Sequence, residues 1–240
     1  GDGTASDPIV IENTATQGYF EDLEMTDSSA NLSVENGIFQ ITNVSGKGQI
    51  NVQGKGELTI SGNATAGDVV NKGVLNATAQ TTTIGVAFEE DSGNSELLKE
   101  TAEVKDVNSY EPGGGYGDGG NAGGGIVPPE LDDEESKNNH FKTFTNEKGG
   151  EANFADVSIT EGANVKNKAE ATINAGSVVL DGGAVITNFA DGTLNFDSFE
   201  MNGTLRNNGT INVGGEMALA QGTSTTLAGK VKAGVLSVGR

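Results

Sequence analysis

Titratable side chains are the first candidates for chemistry in this chain, and carboxylates dominate them. The chain has 34 acidic residues but one histidine, His140, and two arginines, Arg206 and Arg240. A Ser-His-Asp site needs an oriented histidine base, so this scarcity almost excludes nucleophilic catalysis of that kind. Opposed carboxylates can cleave glycosidic bonds. The acidic runs at 89–91 and 132–135, however, place carboxylates side by side in sequence, which is typical of solvated charge. We therefore assign no catalytic residue.

A glycine-rich tract is the candidate for metal binding. Residues 113–125, GGGYGDGGNAGGG, are superficially similar to the Gly-Gly-x-Gly-x-Asp repeats that hold calcium. The match fails because Asp118 directly follows Gly117 and no second copy of the repeat is present. Thiolate metal sites and disulfides are excluded, since the chain has no cysteine. The sequence predicts no metal site and no cofactor, with weak surface binding of calcium as the alternative.

Composition and charge restrict the classes of partner. The net charge of −20 opposes binding to nucleic-acid phosphates and to anionic lipid. No stretch reaches the roughly 20 consecutive apolar residues of a transmembrane helix. The 37 glycines and the low aromatic content of 5% favour many short strands separated by turns over packed helices. The expected partner is a glycan or a protein.

The elements that would position any site follow a repeat. An apolar-x-Asn unit recurs in the second half of the chain with steps of 21, 21 and 19 residues. Each unit is followed by two pairs of alternating apolar positions, with two residues between the pairs. The units are Phe144 with Asn146, Val165 with Asn167, Ile186 with Asn188, and Leu205 with Asn207.

Such a period predicts a β-solenoid, in which each repeat is one coil of about 20 residues whose strands stack in parallel on those of adjacent coils. Alternation then turns every second side chain inward, and equivalent residues of successive coils form columns about 4.8 Å apart. One predicted inward column contains Phe154, Ala175, Phe196, Val213 and Ala233. We predict that the recurring asparagines are corner residues with a left-handed backbone, whose amides bond to one another along the axis.

The first half carries the same pattern with a looser period. The segment VVNKGVLNAT, 69–78, repeats the spacing of 205–211. Between residues 32 and 60 two frames compete, one through Val34 and Asn36 and the other through Ile41 and Asn43. Both frames are compatible with the sequence.

A long insertion separates two groups of coils. We predict N-terminal coils over 1–87, an acidic and glycine-rich insertion over 88–142, and C-terminal coils over 143–240, all in one continuous solenoid. Residues 94–107 are compatible with a short helix within the insertion. Insertions in repeat proteins emerge on one side and often carry recognition, although a merely tolerated loop is an equal alternative. The candidate recognition residues are Tyr110, Tyr116, Asp118 and His140.

The repeats resemble a known class of surface proteins. GDGTASDPIVI, 1–11, is similar to the opening of β-helical segments in bacterial surface proteins, and GTLRNNGTINVGG, 203–215, resembles the repeats of autotransporter passengers and adhesin-like proteins. The resemblance implies a right-handed parallel β-helix that is exported and displayed on the outer cell surface. We expect the chain to be part of a longer polypeptide.

Three functions remain open at this level. The first is a non-enzymatic, adhesin-like module that binds a glycan or a protein through its solenoid face or the insertion. The second is a β-helix carbohydrate-active enzyme, a lyase or hydrolase with carboxylates on an outer face. The third is a structural spacer of the tail-fibre type. Two or three carboxylates from neighbouring coils in one outer groove would favour the enzyme.

Overall fold

Parallel strands make up all the regular structure in the described part of the chain. The computed structural model describes residues 9–85 and 138–239, including their side chains except those of residues 9–17 and 78–80. Within these residues no helix is long and apolar enough to cross a membrane. The strands are β1 (Ile9–Met25), β2 (Asn31–Gly46), β3 (Gln49–Ile60), β4 (Ala64–Asn71), β5 (Val74–Ile84), β6 (Asn138–Asn146), β7 (Glu151–Ile159), β8 (Asn164–Asn167), β9 (Thr172–Leu180), β10 (Val185–Asn188), β11 (Thr193–Met201), β12 (Thr204–Asn207), β13 (Thr210–Leu219), β14 (Ser224–Leu227) and β15 (Lys230–Val238).

Each coil contributes three strand segments that stack on their equivalents in neighbouring coils. In one coil these are face A, Asn164–Asn167 of β8, then face B, 172–175, and face C, 177–180, which share strand β9. Face A segments pair in parallel from β4 through β6, β8, β10 and β12 to β14. Faces B and C pair from β5 through β7, β9, β11 and β13 to β15. The chain is therefore a β-solenoid, as the period predicts.

The apolar spacing explains how a coil turns its corner. Inward residues alternate within a face, but Phe196 and Phe199 are three apart, and both are buried. The step of three lets both faces present apolar side chains to one core, because the strand changes direction between them. The two rings meet edge to face with centroids 5.4 Å apart. Full burial of such a side chain contributes about 1.5–3 kcal/mol.

The predicted inward column is confirmed by the strand register. Ala175 pairs with Phe196, Phe196 with Val213, and Val213 with Ala233. Phe154 pairs with Ala77 of the preceding coil. Large and small side chains thus alternate along this column, which allows a narrow core to accept phenylalanine rings.

The strands on either side of the insertion belong to one stack and share an unusual arrangement. Residues 138–141 of β6 lie between 64–66 of β4 and 81–84 of β5 on face C. The strand that leaves for the insertion and the strand that returns from it are therefore parallel neighbours. Face C gains one segment at this level, while β6 continues directly above β4 on face A and β7 above β5 on face B.

The register also shows why neither frame between residues 32 and 60 matched. Val34 pairs with Val52, which pairs with Asn71. Valine thus takes the asparagine position in these two coils, so an apolar-x-Asn unit cannot be read there. Asn36 pairs instead with Lys55, and Asn43 with Asp22. Both frames were wrong.

Candidate functional site

The recurring asparagines form a buried ladder on face A, which we call the inner ladder. In the first four of its five residues Nδ2 donates to the Oδ1 of the asparagine in the following coil, at 2.7–3.0 Å. All five residues are completely buried. The prediction that these amides bond along the axis is confirmed. The inner ladder consists of Asn71, Asn146, Asn167, Asn188 and Asn207.

Each inner amide also holds the corner between faces A and B. Asn167 Nδ2 lies 3.0 Å from the carbonyl oxygen of Ala171, at the end of its own corner, and 3.0 Å from that of Thr193 in the next coil. Asn146 makes the same contacts with Gly150 and Thr172. Because these carbonyls begin face B, the buried amides set where face B starts in each coil.

The left-handed backbone lies elsewhere than predicted. Among the described residues other than glycine, only Glu170 and Asp191 have positive φ, at 58° and 62°. Both stand three residues after an inner asparagine, as does Gly149 with φ 79°. The inner asparagines are strand residues instead, because their buried amides must point inward to reach the corner carbonyls. The prediction of a left-handed asparagine was wrong.

The inner ladder has one unsatisfied end. Asn71 Oδ1 is buried and has no hydrogen-bond partner. Its neighbour in the preceding coil is Val52, which offers no donor. An unpaired buried acceptor costs about 1–3 kcal/mol, so the ladder begins with a local penalty.

A second amide ladder runs along the outer surface of face B, and we call it the outer ladder. In four of its five residues Nδ2 donates to the Oδ1 of the asparagine in the preceding coil, at 2.8–2.9 Å. The first residue, Asn76, donates instead to Glu57 Oε1 and Thr59 Oγ1. The five asparagine side chains are half-buried. The donors therefore point opposite to those of the inner ladder. The outer ladder consists of Asn76, Asn153, Asn174, Asn195 and Asn212.

Threonines form a column beside the outer ladder. Thr172, Thr193 and Thr210 pair in register and lie two residues before Asn174, Asn195 and Asn212, so their side chains share the outer surface of face B. The backbone carbonyls of these threonines are the ones that the inner amides hold. The buried ladder therefore positions the outer array of hydroxyls and amides.

An open groove follows the outer ladder where face B meets face C. Its volume is about 500 Å³, and it crosses three coils. Asn153, Asn174 and Asn195 line it together with the small residue Gly176. Among the described residues that line it, only Asp197 is ionisable. We call this feature the amide groove.

Face C carries a different groove, which we call the acidic groove. Its volume is about 430 Å³, and Glu200 and Glu216 line it with Ser177 and Ser198. Asn202 Nδ2 donates to Glu200 Oε1 at 3.3 Å. Ser237 Oγ donates to Glu216 Oε1 at 2.6 Å. Two carboxylates from neighbouring coils thus face one groove, which is the arrangement that would favour an enzyme.

Of the four residues predicted for recognition, only His140 lies among the described residues. Tyr110, Tyr116 and Asp118 lie outside the described residues, as do the helix proposed for 94–107 and the glycine tract. His140 belongs to β6 rather than to a loop, because residues 138–141 already pair with β4 and β5. Its Nε2 lies 3.4 Å from the carbonyl oxygen of Gly85, the last described residue after β5.

The charged groups outside the two grooves form no metal centre in the described ranges. No group of three or more His, Cys, Asp or Glu side chains is arranged there to hold a metal ion. The pKa of Asp27 is lowered, because the backbone N–H of Ser29 donates to its Oδ1 at 2.7 Å. This contact belongs to an exposed turn.

The outer ladder was not predicted, although the sequence contains a signal for it. Asn153, Asn174 and Asn195 are spaced by 21 residues, the same step that revealed the inner ladder. The segments TIN, TLN and TIN at 172, 193 and 210 repeat both columns of the array. The two asparagine series lie on opposite sides of the sheet. The sequence does not show this, because the assignment requires the strand register.

Comparison with protein-family models, with curated proteins and with solved structures finds no match to this chain.

Proposed function

We propose that this chain is an adhesin-like module of a bacterial surface that binds a neutral glycan through the outer ladder and the amide groove. The carrying observation is the outer ladder with its threonine column. It presents amides and hydroxyls at a spacing of about 4.8 Å along the axis. Such a regular polar surface suits an extended polymer that carries many hydroxyl groups.

The hydrogen-bond inventory of the outer asparagines supports binding. A carboxamide has two N–H donors and an oxygen with two lone pairs. Asn174 and Asn195 each use one donor and one lone pair within the outer ladder. The remaining donor and lone pair on each residue can meet sugar hydroxyls, and the ladder holds the amides in a fixed orientation. Pre-organised groups lose little conformational entropy on binding.

Charge favours a neutral ligand. The chain has a net charge of −20, which repels polyanions such as acidic polysaccharides. The amide groove contributes one carboxylate, Asp197, and otherwise amide, aromatic and small side chains. Hydroxyl groups can donate to that carboxylate, whereas a phosphate or uronate would be repelled.

The proposal includes export of the protein to a cell surface. Its support is the resemblance of residues 1–11 and 203–215 to surface-displayed β-helices. The absence of cysteine is compatible with secretion, because no thiol is available for incorrect disulfides.

A glycan array and a set of soluble polysaccharides test the proposal, with the insertion as the competing location. The shortened chain lacks residues 88–135 and carries a flexible linker of about 15 residues, because parallel β5 and β6 need a crossover of a dozen or more residues. The deletion ends before β6, whose first residue is Asn138. We expect the shortened chain to bind the same neutral glycans as the full chain. Loss of binding with an intact fold would assign recognition to the insertion.

Glu200 and Glu216 support a second candidate, a carbohydrate-active enzyme. Two carboxylates that line one groove can act as general acid and as base or nucleophile in glycoside cleavage. A reducing-end assay on the same polysaccharides distinguishes this candidate from adhesion. Turnover that is abolished by Glu200→Gln or Glu216→Gln would establish the enzyme. Binding without release of reducing ends supports the adhesive module.

A further inference from the structure

A third surface pocket lies apart from the two grooves, and we call it the lysine pocket. Its volume is about 200 Å³. It extends over four stacked strands, β2, β3, β4 and β6, beside the turn that follows β1. None of its lining residues lines the amide groove or the acidic groove. Its polar lining includes Ser28, Asn31, Lys47, Gln49, Asp68 and Lys142.

The strand register explains why the surface is hollow at this place. Asp68 pairs with Thr143, so Gly67 occupies the position equivalent to Lys142 in the preceding coil. Gly67 lines the pocket and has no side chain to fill it. A Cβ added there would collide with the carbonyl oxygen of Lys47. Backbone packing therefore keeps this position empty, and Lys142 borders the open space.

The charge balance of the lysine pocket is opposite to that of the whole chain. Of the ionisable side chains that line it in the described residues, Lys47 and Lys142 are basic and Asp68 is acidic. Lys142 is exposed and forms no ion pair with a described side chain. The screening length is about 8 Å at physiological ionic strength, so the nearest groups dominate the field that a ligand meets. The Lys142 ammonium group can therefore bind a carboxylate, although the net charge is −20.

Hydrogen bonds within the lysine pocket orient a second donor. Asn31 Nδ2 and Asn51 Nδ2 both donate to Gln49 Oε1, at 3.4 and 3.1 Å. The Nε2 atom of Gln49 makes no hydrogen bond with another described residue. Because the contacts of Oε1 fix the amide, both N–H groups of Nε2 are available to the oxygen atoms of a ligand.

Asp68 supplies the acceptor of the lysine pocket. Thr143 Oγ1 donates to Asp68 Oδ1 at 2.7 Å, which holds the carboxylate in place. An ionised carboxylate has about four lone-pair sites, so Asp68 can also accept from hydroxyl groups of a ligand. The pocket thus combines donors for a carboxylate with an acceptor for hydroxyls.

We propose that the lysine pocket binds a single sugar residue that carries a carboxylate, such as a uronic acid at the end of a glycan. The ligand carboxylate accepts from Lys142 and Gln49, and its neighbouring hydroxyls donate to Asp68. A single residue fits best, because the volume lies below the roughly 300–1,000 Å³ of pockets for drug-sized ligands. The chain as a whole still repels polyanions, so one acidic residue on an otherwise neutral glycan suits its charge. This binding is independent of the outer ladder.

An NMR titration of the full chain, labelled with nitrogen-15, tests this proposal with glucuronate, glucose and inorganic phosphate as separate probes. We expect glucuronate to shift the side-chain amide signals of Gln49 in a saturable way. Glucose lacks the carboxylate and should bind at least about tenfold more weakly, since hydrogen bonds to charged groups are the stronger ones. Phosphate should also bind more weakly, because it has no ring hydroxyls for Asp68.

A matched pair of variants locates the contact. Lys142→Gln should weaken glucuronate binding at least about tenfold. Lys166→Gln changes another exposed lysine of face A that does not line the pocket, and it should bind normally. Both side chains are exposed, so the fold should tolerate the changes, which circular dichroism verifies.

Four outcomes would overturn the proposal. The first is an absence of saturable shifts at up to about 50 mM glucuronate. The second is equal affinity for glucose, which would show that the carboxylate is not recognised. The third is equal affinity for phosphate, which would indicate a general anion site. The fourth is an equal loss in Lys142→Gln and Lys166→Gln, which would assign the effect to the overall charge.

Discussion

The inner and outer ladders use the same residue, at nearly the same period, for opposite purposes. The inner amides are completely buried and hold the corner carbonyls as well as each other. The outer amides are half-buried, and Asn174 and Asn195 bond only to their ladder neighbours among the hydrogen bonds of the described residues. A periodic asparagine therefore indicates stacking, while its position across the sheet decides whether it stabilises the coil or presents a surface.

We expect the largest difference in stability when one asparagine of each ladder is replaced by alanine in separate variants. Asn167→Ala leaves the Oδ1 of Asn188 and the carbonyls of Ala171 and Thr193 with fewer donors in a dry interior, so we expect a loss of about 2–4 kcal/mol in the free energy of unfolding. In Asn174→Ala the neighbouring amides can bond to water instead, so the free energy of unfolding should fall by less than about 1 kcal/mol. Urea denaturation of both variants measures the difference. Equal losses would mean that the two ladders do not differ in role.

The unsatisfied end of the inner ladder allows a sharper test. Val52→Asn places a donor beside Asn71 Oδ1, whereas Val34→Asn introduces the same amide one coil further away, beside Val52 rather than an asparagine. Both variants bury a polar group, but only the first pairs with the ladder. We expect Val52→Asn to be more stable than Val34→Asn by about 1 kcal/mol. The prediction fails if the two unfold at the same urea concentration.

The corner residues should give the smallest effect. Glu170 has a left-handed backbone at φ 58° and forms an exposed ion pair with Lys148 at 3.1 Å. Glu170→Gly relieves the backbone strain and should raise stability by about 0.5–1 kcal/mol. Glu170→Ala removes the ion pair but keeps the Cβ, so it should leave stability unchanged or lower it slightly. A melting temperature that is higher for alanine than for glycine would contradict this account of the corner.

The sequence predicted the solenoid because the core of each coil depends on a few inward positions that recur at each turn. Phe144, Val165, Ile186 and Leu205 marked face A correctly for this reason. The predicted strand register was wrong where Val34 and Val52 occupy the asparagine position. The coil can fill that position with either a hydrogen-bonded amide or an apolar side chain. The different burial of the inner and outer ladders could not be predicted either, because asparagines on both sides of the sheet recur with the same step of 21 residues.

The position of β6 could not be predicted for a different reason. Two segments, 81–84 and 138–141, end in the same polar-x-apolar pattern. The pattern is formed by Thr82 with Ile84 and by Asn139 with Phe141, so either segment could occupy the same level of face C. In the structure both do so as neighbours, and Asn139 Nδ2 donates to Thr82 Oγ1 at 3.1 Å. This polar pair in a mostly apolar column is visible only after the strands are placed side by side.

Recognition by the outer ladder can be tested by measuring glycan binding of a variant in which only the outer array is changed. Asn174→Ala combined with Asn195→Ala removes two rungs of the outer ladder, and Thr187→Ala on the outer surface of face A serves as the matched control. All three chains would be applied to the same glycan array after their folding is verified. We expect the double variant to lose at least about tenfold in affinity for the neutral glycans that the native chain binds, equivalent to about 1.4 kcal/mol, while Thr187→Ala binds normally. Unchanged binding by the double variant would contradict the assignment of recognition to the outer ladder.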